Sequence, residues 1–416
     1  MSTDALDLAS MIRPDDRVLV GSGAGEPVAL VQQLVEQRHQ LRGVRVLLGY
    51  SVVGVVLPEH LDELDVTVLG GYGRNGALTR RGADILPCRM ADLPDLIESG
   101  ELAVDVVLLS CTPADEHGVH SIGVTADVVL AACARARVVL AEVNDQMPRT
   151  AGDTGLPSAA ITASVRTSRP LPELERTAAG PVEEAIAERV ADLVLDRSTL
   201  QLGIGRVPDA IARRLTGHRD LGIHSGFLGD WVLDLVSSGA VSNANKPVDR
   251  GLTVGGLLMG SEALYRWAHD NPSLLMRDAR HTHGVETLAG FDSFVSVNSA
   301  IEVDLTGQVN AESVGGRYVG AVGGQPDYVR AGATASHGMS VIALPAVAAR
   351  GGPSRIVHRI GPGVVTTLRS DVDVVVTEHG VAHLRGQSLA ERTRRLLAVA
   401  APECRDELAR EAVASR

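Results

Sequence analysis

The side chains best suited to chemistry lie in the second half of the chain. The run Leu221-Gly-Ile-His224-Ser225-Gly226-Phe227-Leu-Gly-Asp230 sets an imidazole beside a hydroxyl and then leaves Gly226 with no side chain at all. Phe227 and Trp231 follow within five residues of Gly226, in a chain whose aromatic content is only 2%. They read either as ordinary packing or as the wall of a pocket for a bulky group. Farther on, His281-Thr-His283 offers an imidazole that titrates near neutral pH, so His283 is a candidate general acid or base, or else an exposed loop residue. As a metal pair these two histidines lack an evident third ligand, and no metal is expected. Glu302, Asp304 and Glu378 are acidic residues inside apolar runs, where a carboxylate needs a partner or a task; structural ion pairs are the expectation.

Such groups need a scaffold, and the chain reads as two related halves. Near the start, Arg17-Val-Leu-Val-Gly21-Ser-Gly23 is an apolar strand ending in a glycine turn, followed by Glu26-Pro27 and the amphipathic run Val28 to Val35. Glu26 reads as a cap for that helix, with a catalytic carboxylate as the lesser alternative. The second half repeats the order: Thr199-Leu-Gln-Leu-Gly203-Ile204-Gly205, then Val207-Pro208-Asp209 and a helical run to Leu215. Continuous runs such as Asp371-Val-Asp-Val-Val-Val-Thr-Glu378 predict strands buried on both faces. The fold class expected is α/β: two related open domains with largely parallel sheets. The Pro- and Glu-rich segment from Ser168 to Val182 is the expected boundary, giving domains of residues 1–172 and 183–416.

Composition narrows the function. At 416 residues the chain is long enough for two domains with ample cores. A formal charge of −12 disfavours nucleic acid and anionic membranes as partners. The sequence contains neither a signal-like segment nor an apolar stretch of about 20 residues, so a cytoplasmic protein is expected. Cys88, Cys111, Cys133 and Cys404 are widely spaced and read as reduced, structural thiols. Lys246 is the only lysine. The fingerprint G-x-G-x-x-G is not met around Gly203 and Gly205, where Pro208 takes the last place, which argues against a nicotinamide cofactor.

Longer motifs carry a resemblance. Pro113-Ala-Asp-Glu-His-Gly118, Ser121-Ile-Gly123 and Ala141-Glu-Val-Asn144-Asp-Gln-Met-Pro-Arg-Thr150 stand in the first half. In the second are Gly203-Ile-Gly205-Arg-Val-Pro-Asp209, Asn298-Ser-Ala-Ile-Glu302-Val-Asp304-Leu-Thr-Gly-Gln-Val-Asn310, Gly323-Gly324-Gln-Pro-Asp327 and Val376-Thr-Glu378-His-Gly. With these the chain resembles the acetyl-CoA hydrolase/transferase family, which includes 4-hydroxybutyrate, butyrate–acetate and succinyl-CoA:acetate CoA-transferases. The resemblance spans nearly all of the chain.

The resemblance implies a ping-pong cycle in which a glutamate carboxylate attacks an acyl-CoA thioester, passes through an anhydride and becomes a glutamyl-CoA thioester. Backbone amides of the turns matching Gly203-Ile204-Gly205 and Gly323-Gly324 would serve the oxyanion, with Asn298 on the substrate side. The segment matching Leu221 to Asp230 would read Leu-Gly-(Ile/Val)-His-(Ser/Thr)-Glu-Met, and here the place of the glutamate is held by Gly226. The segment matching His281 to Glu286 would carry an active-site asparagine, and a histidine or glycine stands there instead. Lys246 is expected either at a CoA phosphate or in solvent. A coenzyme A thioester is thus the implied substrate, no tightly bound cofactor is implied, and the assembly implied is a homodimer or homotetramer.

The expectation is an enzyme that takes an acyl-CoA or acyl-carrier thioester and transfers or hydrolyses the acyl group directly, the acceptor being water, an amine or a hydroxyl, with His283 or His224 as base. Two alternatives stand beside it. One is ordinary CoA transfer through a displaced carboxylate such as Glu302, and the other is a non-catalytic thioester-binding or partner subunit.

Overall fold

The computed structural model describes residues 5–70, 75–349, 351–361 and 363–414. Its contacts divide the chain into two compact units. The first comprises Met1–Glu175, Val254–Gly284 and Tyr318–Gly323, and the second Arg176–Thr253, Val285–Arg317 and Gly324–Arg416. The first cut falls within the Pro- and Glu-rich segment. The return of residues 254–284 and 318–323 to the first unit is a feature that a single linker does not describe.

The first unit is built on strands β1 (Arg17–Val20), β2 (Arg45–Leu48), β3 (Asp65–Val68), β4 (Asp84–Ile85), β5 (Val106–Cys111), β6 (Val138–Asn144) and β7 (Ala163–Thr167). They pair in the order β4-β3-β2-β1-β5-β6-β7, and every pairing is parallel. Alternation along each strand sends side chains to opposite faces. Val18, Val20, Val46, Leu48, Val106 and Leu108 pack on one side with Leu30, Val31 and Leu34 of the helix Val28–Gln37. Leu19, Leu47, Val107, Leu109 and Val139 pack on the other with Leu93 and Ile97 of the helix Leu93–Ser99. Both faces are covered, which is why these strands read as unbroken apolar runs.

The second unit repeats the plan with β8 (Thr199–Leu202), β9 (Gly222–Leu228), β10 (Phe294–Asn298), β11 (Met339–Ala343), β12 (Val374–Thr377) and β13 (Gly380–His383). Within this unit the order is β9-β8-β10-β11-β12-β13. All neighbours are parallel except the hairpin β12–β13 at the edge. The α/β class with largely parallel sheets is therefore what the chain adopts.

In each unit the first central strand is flanked by strands reached in opposite directions: β1 lies between β2 and β5, and β8 between β9 and β10. At such a switch point the connections leave to either side and open a crevice at the carboxyl ends of the strands, where α/β sheets bind ligands. Among the described residues no helix is long and apolar enough to cross a membrane, and no group of three His, Cys, Asp or Glu is placed to hold a metal ion.

Candidate active site

The switch point of the second unit gathers most of the sequence candidates. Strand β8 ends at Leu202 and runs into Gly203-Ile204-Gly205, after which the helix Arg206–Leu215 begins. Gly203 and Ile204 are half-buried and Gly205 is exposed. Gly205 has φ +104°, a conformation other residues adopt only under strain, so glycine is required there by the backbone. At Gly203 the nearest atom to an added Cβ is Pro208 Cγ at 4.0 Å. A methyl group would therefore fit, and any demand for glycine at 203 must come from what approaches the turn.

Three side chains fasten the turn to its surroundings. The indole of Trp231 donates from Nε1 to the carbonyl of Gly203 at 3.0 Å, and Ser225 Oγ donates to the carbonyl of Leu202 at 2.8 Å. Arg176 pairs with Asp234 on the helix Trp231–Ser237 and lies 3.7 Å from Asp209 on the helix Arg206–Leu215. Burial pushes the Asp209 carboxyl up, the Arg176 charge opposing it and the Asp230 charge adding to it. Next to the turn, β10 ends at half-buried Asn298, whose Nδ2 donates to Gln201 Oε1 at 3.0 Å.

Trp231 is completely buried, so it supports the turn from behind rather than lining a pocket for the acyl group. Phe227, one residue past Gly226, is half-buried. Gly226 itself is buried on β9. By the period of two it shares a face with His224, while Ser225 points the other way to Leu202.

His224 is fully buried, its ring centroid 5.0 Å from that of Phe291 in a cluster continued by Phe294 and Tyr328. That is the setting of a core histidine. Glu302 lies on the short strand Glu302–Asp304, which pairs with Val309–Asn310 and Ile356–Val357 outside the main sheet. It accepts from Asn310 Nδ2 at 2.9 Å. Asp304 accepts from Thr306 N, Thr306 Oγ1 and Gln308 N, and thus caps a turn instead of forming the ion pair expected. Glu378 accepts from Ala346 N at 2.8 Å and stands 3.7 Å from His379.

Lys246 and His283 also depart from expectation. Lys246 is only 2% exposed, and its Nζ donates to the carbonyls of Ile223 at 2.9 Å and Leu252 at 2.7 Å. Burial draws the ammonium down to about 7, the Asp249 charge opposing. The lysine is an internal clamp on the start of β9, not a solvent-facing residue, and its ammonium is already enclosed where a CoA phosphate would have to reach it. His283 belongs to the first unit, at the end of the short helix Ala279–His283. It is buried, with Nδ1 2.8 Å from Thr282 Oγ1, and desolvation lowers it to about 3. An imidazole so placed is neutral at pH 7 and a weak base, not the exposed loop residue or near-neutral catalyst that its sequence context implies.

The other glycine pair is placed differently. Gly323 has φ +64° and its carbonyl accepts from Met90 N at 3.1 Å, while Gly324 caps the helix Gln325–Thr334.

In the first unit the structure departs from the cap expected at Glu26 and brings in Glu142, which the sequence reading passed over. Glu26 does not cap the helix Val28–Gln37, because the first-turn amide of Ala29 donates instead to Glu142 Oε2 at 2.8 Å. Glu142, wholly buried on β6, also binds Arg169 at 2.6 Å. Its one sequence signal was a carboxylate inside the apolar run Val138–Asn144. Glu26 is released toward Ser51, whose Oγ donates to Glu26 Oε2 at 2.9 Å.

The sequence profile of the acetyl-CoA hydrolase/transferase N-terminal domain matches residues 77–168, and that of its C-terminal domain residues 260–412. A 4-hydroxybutyrate coenzyme A transferase of Clostridium kluyveri is 37% identical, over 97% of this chain and 95% of that protein. A succinyl-CoA:acetate/propanoyl-CoA:succinate CoA transferase of Fasciola hepatica is 34% identical, over 94% and 83%. The crystal structure of RipA from Yersinia pestis superposes with a TM-score of 0.91 at 31% identity, covering 98% of this chain and 96% of that one.

Proposed function

Because the chain belongs to the acetyl-CoA hydrolase/transferase family, we propose that it binds an acyl-CoA or acyl-carrier thioester at the switch point of its second unit and passes the acyl group directly to an acceptor. No glutamyl-CoA intermediate forms in this scheme. The relatives' names specify CoA transfer between carboxylates, and the thioester is the part of that chemistry carried over. The observation that carries the reading is Gly226: a buried position on β9 with no side chain to acylate, beside a turn still fastened by Trp231 and Ser225.

Direct transfer uses the turn in one way. As the acceptor adds to the thioester carbon, the carbonyl oxygen takes on negative charge, and backbone amides preorganised against it lower that barrier. Loss of one such donor typically costs a factor of about 10² to 10³.

Intact-mass measurement after incubation with acetyl-CoA or butyryl-CoA tests the reading. The expected protein mass is unchanged while CoA release tracks the acceptor supplied. A CoA-sized increment on Glu302, or on any other carboxylate, would overturn it and establish ordinary CoA transfer. Tight thioester binding with no release to any acceptor would establish a binding subunit instead.

A further inference from the structure

We propose that Gln201 and Asn298 form the subsite for the cysteamine amide of the thioester, the amide that coenzyme A and carrier-bound pantetheine share two methylenes from the sulfur. This rests on a thioester bound at the switch point of the second unit, as set out above. Both residues, the glycine turn and the strands that carry them belong to that one unit. The placement comes from strand register. Gln201 of β8 pairs with Ser296 of β10, and Leu202 with Val297, so one step further Asn298 stands beside Gly203. On the other side Leu200 pairs with Ile223 of β9. Ser225 Oγ, donating to the carbonyl of Leu202, carries that register on and sets Gly226 beside Gly203. Asn298, Gly203 and Gly226 thus form one row across the carboxyl ends of three neighbouring strands, on a shared face, and two of its three places have no side chain.

The row beneath is filled. Ser296, Gln201 and His224 occupy it, all buried, and His224 rests on Phe291, itself 5.4 Å from Phe294. The helix Gln325–Thr334 covers this face: Tyr328 stacks on Phe294 at 6.1 Å, and a Cβ on Gly332 would lie 3.0 Å from Ser296 Oγ. Above this packed floor an added Cβ on Gly203 meets nothing nearer than 4.0 Å. The glycines leave a slot suited to a slim chain.

Gln201 raises its amide from the floor to the level of the row. It is 4% exposed, and its Oε1 accepts from Asn298 Nδ2 at 3.0 Å. Among the described residues, Gln201 Nε2 and Asn298 Oδ1 have no hydrogen-bond partner. Two amides joined by a single bond leave one donor and one acceptor open. Buried amides ordinarily satisfy both, so the open pair is matched by what enters the slot. A secondary amide is the complement, its C=O accepting from Gln201 Nε2 and its N–H donating to Asn298 Oδ1. Spacing agrees: neighbouring strands lie about 4.8 Å apart, a distance that two methylenes cover, so a thioester held at Gly203-Ile204-Gly205 brings the cysteamine amide to Asn298. The subsite therefore reads the handle and not the acyl group, and serves coenzyme A and an acyl carrier alike.

The experiment supplies hydroxylamine as acceptor and measures enzyme-dependent thiol release from two short donors. One is S-butyryl-N-acetylcysteamine; the other is its oxygen ester, S-butyryl-2-acetoxyethanethiol, which keeps the carbonyl and lacks the N–H. Full-length native protein is compared with Asn298→Ala, Asn298→Asp and Gln201→Met. Native kcat/KM should favour the amide by about 10- to 100-fold. That preference should fall to within about twofold in Asn298→Ala and return in Asn298→Asp, which keeps an acceptor. Gln201→Met should raise KM for both donors about 10-fold with kcat within about threefold, since it removes a contact made equally in the ground and transition states. Each preference is a ratio within one preparation, so partial misfolding of a variant does not alter it. A native preference within twofold, a preference kept in Asn298→Ala, or an unchanged KM in Gln201→Met would overturn the subsite, and calorimetric binding of butyryl-CoA would then leave the thioester site standing. Neither butyryl-CoA binding nor thiol release from any donor would overturn the thioester site itself, and the subsite with it.

Discussion

Replacing Lys246 with methionine separates a structural clamp from a ligand contact. The side chain is 2% exposed, and an added Cβ on Gly222 would stand only 2.9 Å from Lys246 Cγ, so the stem is tightly packed and methionine keeps most of that volume. Two opposing energies change. The carbonyls of Ile223 and Leu252 lose their donor, at about 1–3 kcal/mol each. Against this, the cost of burying an ammonium disappears. A fall from 10.5 to about 7, at about 1.4 kcal/mol per tenfold change in proton affinity, amounts to about 5 kcal/mol below pH 7. The sign follows from proton counts: between pH 7 and 10.5 the unfolded lysine holds a proton that the folded one has released. Native stability therefore gains from this residue as pH rises through that window and carries the full cost below it. Urea denaturation at pH 7, 8.5 and 10 should show Lys246→Met near the native stability at pH 7 and progressively worse at higher pH, by about 3–4 kcal/mol at pH 10. Butyryl-CoA affinity should stay within about twofold. Parallel stability profiles would refute the buried-ammonium argument, and a loss of affinity by tenfold or more at pH 7 without unfolding would restore the phosphate contact.

Two further outcomes address the site. Gly203→Ala meets nothing nearer than 4.0 Å, so the melting temperature should hold while turnover falls about 10²-fold or more; equal activity would show that the glycine is there for the turn alone. Gly226→Glu should yield at most a trace of CoA exchange between acetyl-CoA and butyrate, because a carboxylate misplaced by about 1 Å forfeits about 10²-fold. Robust exchange by the single variant would show that the pocket was never altered.

Much of the architecture is legible in the residue pattern because it follows from short-range rules. Unbroken runs such as Val106–Cys111 have only one stable home, a strand covered on both faces, and a strand followed by Gly-Ile-Gly and an amphipathic run fixes the turn at 203–205. The failures have one cause: partners distant in sequence. Glu26 precedes a helix as a cap should, yet Glu142, 113 residues from Ala29, takes the amide first. Lys246 looks like a surface residue from its charge alone, and only the meeting of Ile223 and Leu252 around it makes burial tolerable. His283 reads as a loop imidazole because nothing in its neighbours along the chain reveals its burial.

The kind of acceptor decides which residues the site must contain. A carboxylate substrate attacks a thioester already ionised, so a CoA-transfer cycle through a glutamate moves no proton from its nucleophile. An amine, a hydroxyl or water must shed one as the new bond forms, and a scaffold that turns to direct acyl transfer must therefore supply a base that the carboxylate cycle does not require. Neither histidine proposed for that task is suited to it. His224 is enclosed with its ring against Phe291, and His283, lowered to about 3, binds a proton too weakly to drive the transfer near pH 7. Direct transfer, with no side chain at position 226 to acylate, therefore calls for an acceptor that enters the site carrying a proton and for a base other than these two histidines.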